Sequence, residues 1–371
     1  MRELLDIVSA YDGGMEKNRR MALATVVGVT GSTYRRPGAR MLFGEEGRLA
    51  GLINAACLES DLSERAAKVI ASGNPELISY DTTSPDDIVF GLGLGCNGTV
   101  EILMEPSQRT GLGEKISVLS RCVKGNRPMV MGTVIAANGA NGTELGDFVA
   151  FQDRAKIAGN VKAVRLRTTI EEVCASMDGL PYVCKSYPHG NAQVRVFYEV
   201  ITPPLPLVIF GAGPDAIPLV DSAKLLGWNV TVVDHRPAYG TPSALPKADA
   251  VLLAEPEAYF QQTTMSPKHI VVIMTHNFAK DRKLLKLSLN SDVPYVGLLG
   301  PKSKLETLLR TLEGEGFVPT ATQLARLHAP IGLDIGAETP EEIAFSIISE
   351  IKAVLERRTG GFLKDRKGAI H

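Results

Sequence analysis

The sequence has no surplus of charge of either sign: 40 Lys and Arg stand against 41 Asp and Glu, a formal net charge of −1. No general field draws nucleic acid or a membrane surface to such a chain, although a local basic patch is compatible with it. Long apolar runs are missing too. No segment reaches the roughly 18 apolar residues of a membrane span, and the N-terminus opens with the charged, helix-patterned MRELLDIVSAY, not with a secretion signal. Cysteine is scarce. Cys57, Cys96, Cys122, Cys174 and Cys184 are odd in number, scattered and without a C-x-x-C pair, which argues against a disulfide framework and a structural zinc site. The same spacing cannot hold the iron–sulfur clusters of an electron-relaying enzyme. No internal repeat or low-complexity tract stands out. These absences describe a soluble protein of the reducing cytoplasm, with neither nucleic acid nor membrane as partner.

What is present is enough for a large core. At 371 residues and 44% hydrophobic, the length suggests two or three domains. Thr202-Pro203-Pro204-Leu205-Pro206 marks the clearest boundary, because proline cannot continue a helix or donate to a central strand. Downstream, short apolar runs (LPLVIF, NVTVVD, DAVLLAE, HIVVIMT, VPYVGLLG) alternate with helical patterns, as in a parallel sheet covered on both faces. A final helix starts at Thr339, Pro340 and Glu342, a capping box, and carries the stripe Ile343, Ile347, Ile351, Val354. Upstream, ALATVVGVT, ARMLFG, RLAGLI, ELISYDT and TVEILME read as strands, with a helix over 60–72. The expected fold class is α/β: a C-terminal Rossmann-type doubly wound parallel sheet plus an N-terminal mixed α+β domain. The boundaries are 1–105 for the N-terminal domain, 106–202 for a middle segment that extends it or stands alone, 203–357 for the Rossmann-type domain and 358–371 for a tail.

The strongest chemical signal is Gly211-Ala212-Gly213-Pro214-Asp215-Ala216, which follows a strand and opens a helix. In a G-x-G-x-x-G/A turn, Gly211 allows the tight bend, Gly213 lets N–H groups approach a pyrophosphate, and Ala216 permits close packing. Asp234 ends the next strand, where a carboxylate accepts from a ribose. The alternative is a plain strand-to-helix connection. His276 and Asp281 fall where the sheet's carboxyl ends should lie, either as a base and ligand contact or as a surface histidine and an N-cap. Gly332 sits in the glycine-bearing loop PIGLDIG, expected to bind. In the N-terminal domain, Arg35, Arg36 and Arg40 surround a Pro-Gly turn and suit phosphate or carboxylate, unless they form a solvated basic turn. Cys57 precedes a helix, and Cys96 follows Gly95 in GLGLGCNG, settings that favour a thiolate able to meet a soft metal or carry sulfur. A buried, inert thiol is the plainer reading of either alone. Together the two cysteines are expected at a common cleft.

These segments resemble the XdhC/CoxI family of xanthine dehydrogenase accessory proteins over nearly the whole chain. GSTYRRPGARM, ACLE and GLGCNG are similar to its cysteine-bearing motifs, and IFGAG, VVDHRP, THNFAKD, YVGLLG and HAPIGLDIGAETPEEIA to its Rossmann half. Ala55, Ala56 and Asn97 stand where the family has glycine, and Pro214 where it has histidine. The resemblance implies a homodimeric protein that binds molybdenum cofactor (molybdopterin), with Cys57 and Cys96 as possible molybdenum or sulfur contacts. It implies sulfuration of that cofactor with a cysteine desulfurase and insertion into apo-xanthine dehydrogenase. Two other functions remain open: an NAD(P)-dependent oxidoreductase or xanthine dehydrogenase subunit using the Rossmann domain, and a non-catalytic nucleotide-sensing docking module.

Overall fold

The computed structural model describes residues 2–31, 35–53, 58–81, 98–137, 142–177, 180–189 and 192–367. It divides into two compact units, Met1–Pro204 and Leu205–His371, so residues 106–202 share a unit with 1–105.

The first unit begins with helix α1 (Arg2–Glu16), whose stripe of Ile7, Val8 and Tyr11 is buried. Strands β1 (Met21–Gly31), β2 (Arg40–Gly44) and β3 (Gly47–Gly51) follow, then α2 (Glu59–Ser72), β4 (Glu76–Asp81) and β5 (Gly98–Pro106). The chain then repeats that order: α3 (Thr110–Lys124), β6 (Met129–Ala137), β7 (Phe148–Gln152), β8 (Ala155–Gly159), α4 (Val164–Ser176), β9 (Tyr182–His189) and β10 (Ala192–Ile201). The two sheets have matching topologies, β3-β2-β1-β5-β4 and β8-β7-β6-β10-β9, with every neighbouring pair antiparallel. The unit is therefore an internal duplication, which corrects the expectation that no repeat is present. A constant offset relates Met21 to Met129, Thr25 to Thr133, Gly38 to Gly146 and Gly51 to Gly159. Gly51 and Gly159 have φ of +82° and +139°, and a Cβ on either would fall 2.3 Å or 2.6 Å from the carbonyl of equivalent residues, Arg40 and Phe148. What survived is backbone demand at a few positions, which sequence inspection easily passes over.

Helices α2 and α4 cover the outer faces of the two sheets, whereas α1, α3 and inner residues of both sheets build a shared core. A small central cluster joins Val27 with its equivalent Ile135 and Leu103 with its equivalent Phe197. Beside it, Arg195 and its equivalent Glu101 form a bidentate ion pair at 2.9 and 2.7 Å. Equivalent residues that meet one another mark a pseudo-twofold axis.

The second unit runs β11 (Pro206–Phe210), α5 (Ala216–Leu225), β12 (Asn229–Asp234), β13 (Ala250–Leu253), α6 (Pro256–Gln262), β14 (Ile270–Ile273), α7 (Phe278–Leu289), β15 (Tyr295–Leu298), α8 (Lys302–Gly314), α9 (Ala321–Leu324), β16 (Leu327–His328) and α10 (Pro340–Leu355). Its six strands form a parallel sheet in the order β13-β12-β11-β14-β15-β16. Helices α5 and α10 bury Leu219, Val220, Ile347 and Ile351 on one face, and α7 and α8 bury Leu284, Leu285, Leu308 and Leu312 on the other. This is the doubly wound Rossmann arrangement anticipated from the apolar runs. The capping box is formed as read: Thr339 accepts from the Glu342 N–H and Glu342 from the Thr339 N–H. Among the described residues no helix is long and apolar enough to cross a membrane.

Candidate functional sites in each unit

In the parallel sheet the strand order reverses direction between β11 and β14, the switch point at which open α/β sheets bind ligands. The turn after β11 supplies one lip of that crevice and the residues after β14 the other. Gly211 has φ +115°, and a Cβ there would lie 2.4 Å from the Met274 carbonyl, so neighbouring backbone already demands glycine. Gly213 is different: its missing side chain faces only the Asp215 carboxylate, 2.5 Å from the position a Cβ would take. Ala216 is buried where α5 packs on the sheet. The turn commits several donors to the protein itself. Gly211 N–H donates to Val233 O, Ala216 N–H to Gly213 O, Ile217 N–H to Pro214 O and Ala212 N–H to Asp234.

Asp234 is 2% exposed. It accepts from Ala212 N–H at 2.7 Å, from Arg236 N–H at 2.8 Å and from both arms of the Arg236 guanidinium at 3.0 and 2.7 Å. Burial pushes its pKa up, but the Arg236 guanidinium and the two N–H donors outweigh that and hold it at about 2. Arg236 in turn stacks on Tyr239 at 4.3 Å. In this arrangement Asp234 ties the turn to β12, its acceptor sites turned to Ala212 and Arg236.

His276 and Asp281, both expected to face the crevice, lie in unlike surroundings. His276 is exposed, has φ +54° and bonds Asp215 across the switch point at 2.7 Å through Nε2. A positive φ at a non-glycine residue is a local cost the surroundings must hold in place. Asp281 is fully buried: Thr275 donates to it at 2.5 Å and Lys304 Nζ lies 2.5 Å away. The N-cap of α7 is Asn277, which accepts from Lys280 N–H. Gly332 likewise answers to packing. Its φ is +109°, a Cβ would meet Ser346 Oγ at 2.4 Å, and its N–H donates to Glu350 at 2.9 Å. Glu350 also accepts from the buried Tyr295, a partly buried cluster that sequence reading missed because its members lie far apart in the chain.

The first unit presents its motifs by topology. In its first half Gly31 pairs with Gly98, Asp81 with Thr99 and Gly51 with Met41. Segments 32–39, 52–58 and 82–97 therefore all leave from one end of the same sheet. Cys57, Gly95 and Cys96 lie outside the described residues. The three arginines are described and differ. Arg40 is buried, pairs with Glu199 and donates to Gly38 O at 2.9 Å. Arg35 donates to Glu3 at 2.6 Å. Arg36 is exposed and makes no ion pair among the described residues. Of the other cysteines, burial pushes Cys122 up to about 11 and Cys174 up to about 12, as expected of inert packing thiols.

A duplicated antiparallel unit followed by a Rossmann unit is the architecture these sites belong to, and known proteins share it. The profile of the XdhC Rossmann domain matches residues 207–351, and that of the XdhC and CoxI family matches residues 15–81. A Bacillus subtilis protein named as a probable xanthine dehydrogenase subunit is 32% identical over 92% of this chain and 94% of its own. The molybdenum cofactor insertion chaperone PaoD of Escherichia coli is 21% identical over 90% of this chain and 82% of its own. The crystal structure of a xanthine dehydrogenase from Bacillus halodurans superposes with a TM-score of 0.73, at 28% identity, over 97% of this chain and 98% of that one. The chain belongs to the XdhC/CoxI family.

Proposed function

We propose that this protein is a xanthine dehydrogenase maturation factor that binds molybdenum cofactor as cargo, supports its sulfuration and inserts it into apo-xanthine dehydrogenase. What supports this reading is that the described strand ends from which the arginine loop and both cysteine segments depart lie at one end of one sheet. A cofactor with a soft metal–sulfur centre and a phosphate needs thiolates and a guanidinium in one neighbourhood. Cys57 and Cys96 are the thiols, and Arg36, exposed and without an ion pair among the described residues, fits the phosphate. A cysteine desulfurase supplies the sulfur, in the cytoplasm, and the protein works as a homodimer.

The Rossmann turn fits an anionic group less well. The Asp215 carboxylate lies over Gly213, on the face a pyrophosphate would approach, and opposes one until it swings aside. That geometry favours the chaperone over a dinucleotide-dependent oxidoreductase, which needs the pyrophosphate seated before nicotinamide and substrate can meet. Gly211, Gly213, Asp234 and His276 then shape the crevice mouth, with Asp281 fixed beneath.

The test is reconstitution. Purified protein, given molybdenum cofactor released from a molybdoenzyme, should raise the activity of apo-xanthine dehydrogenase and oxidise neither hypoxanthine nor xanthine itself with NAD. Cys96→Ala should abolish reconstitution with an unchanged circular dichroism spectrum. Purine turnover by the isolated protein, or full reconstitution by that variant, overturns the proposal.

A further inference from the structure

The loop that carries Arg36 is held by two carboxylates from distant parts of the chain. Backbone bonds set its base: Gly38 N–H donates to Val26 O at 2.8 Å and Val26 N–H to Ala39 O at 2.9 Å. From α1, Glu3 accepts from Arg35 at 2.6 Å and from Arg40 N–H at 3.1 Å. From β10 of the other half, the buried Glu199 pairs with the Arg40 guanidinium and packs against Gly38, where a Cβ would lie 3.3 Å from its Oε2. Gly38 has φ +94°, a turn no side chain would favour. Two of the loop's three cations are thereby neutralised from below, and the third is left outward.

The second half contains a matching device whose loop lacks the arginines. Glu105 is the equivalent of Glu199, since β5 pairs Glu105 with Leu23 just as β10 pairs Glu199 with Met131. It reaches across to Lys115 at 2.6 Å and packs against Gly146, the equivalent of Gly38, with φ +87° and 2.8 Å from Cβ position to Oε1. Yet the described part of the loop above it, 142–147, carries Glu144 and Asp147 and no arginine. The duplication thus supplies an internal control: two equally buried carboxylates at equivalent places, only one of them beside an arginine-bearing loop.

We infer that Glu199 and Glu3 are positioning residues, clamping the arginine loop from two sides so that Arg36 alone is presented to an anionic ligand. The role of that ligand rests on the proposed cofactor reading, whereas the clamp does not. Trypsin reads the clamp directly, because it cleaves the Arg35–Arg36 bond only when the loop opens and is blocked at Arg36–Pro37. The intact protein and its Glu199→Gln, Glu105→Gln and Glu3→Ala variants are digested at equal distance below their melting temperatures, and the peptides are identified by mass spectrometry. Cleavage after Arg35 should rise about tenfold in Glu199→Gln and stay within about twofold of wild type in Glu105→Gln. Glu3→Ala, which leaves no buried charge unpaired, should give a smaller rise and carries the test if Glu199→Gln does not fold. No rise in Glu199→Gln and Glu3→Ala, or an equal rise in Glu105→Gln, overturns the inference. Retention of molybdenum cofactor on a desalting column is measured on the same samples. If the loop opens and retention is unchanged, the clamp stands and the cofactor reading of Arg36 falls.

Discussion

The two halves of the first unit, residues 2–106 and 110–201, share strand order, helix placement and two pairs of turn glycines, but they differ in what hangs from one end of each sheet. Between β3 and α2 the first half carries 52–58, where the second has 160–163. Between β4 and β5 it carries 82–97, where the second has only 190–191. Both cysteine motifs occupy the longer segments, and Arg35 and Arg36 sit in the third, with Arg40 opening β2. The inner strands of each half are buried along most of their length, so they resist change. Connections between strands are in general freer to vary, so they are where one copy can acquire chemistry while the other remains scaffold.

If that division is right, damage to the frame should cost alike in either half. Lys115→Met strands Glu105 in the core and Arg40→Met strands Glu199, since each pair is nearly fully buried. Each variant should lose about 3–5 kcal/mol in urea unfolding, because an unpaired buried carboxylate keeps its desolvation cost and loses its partner. A loss in one half only would mean that the halves are not mechanically equivalent.

Removing the difference sharpens the comparison further. Replacing 82–97 by the dipeptide Gly190-Asn191 should leave unfolding within about 2 kcal/mol of wild type, as shortening the connection between two paired strands changes closure entropy only modestly. Cofactor retention and reconstitution should vanish. Retention by the shortened protein would place the site elsewhere.

The smallest effect belongs to the axis pair. Arg195 holds the Glu101 carboxyl below its ordinary range, chiefly through their hydrogen bonds and against the upward push of burial. A depressed carboxyl pKa adds stability above the unfolded value, and that contribution is lost as pH falls through the folded one. Arg195→Met should therefore cost about 1 kcal/mol at pH 7 and progressively less as the solution is acidified below pH ~4. The exchange Glu101→Arg with Arg195→Glu should recover most of the loss, because the axis makes the two places equivalent. No recovery would argue that the pair is not on the axis.

Much of the Rossmann unit was legible from sequence, for a local reason. Each of its buried strands is one apolar run, and α10 announces itself through Thr339, Pro340 and Glu342 within one turn. The first unit was legible as strands and helices but not as a repeat. Its repeat is carried by pairs such as Thr25 with Thr133 and Gly51 with Gly159, too sparse to register as self-similarity. The sites divide the same way. The turn at Gly211–Ala216 was readable because its residues are contiguous. The binding of Arg40 by Glu199, of Asp281 by Lys304 and of Gly332 by Glu350 was not, since each joins residues from separate elements.

The sequence by itself determined the elements that local pattern controls: the parallel strands, the glycine turn, the capped last helix, and the motifs that mark the family. Tertiary structure alone decided which charges are available. Three arginines in one loop are equal in sequence, yet Arg40 lies in the core against Glu199, Arg35 is drawn to Glu3, and Arg36 is outward. It also decided that Asp234 holds the Gly211 turn through the Ala212 N–H, and that Asp215 and His276 meet across the crevice. The physical reason is common to all of these. Periodicity and turn chemistry act over a few neighbouring residues, whereas the fate of a charge depends on the partner and the burial that the whole fold brings to it.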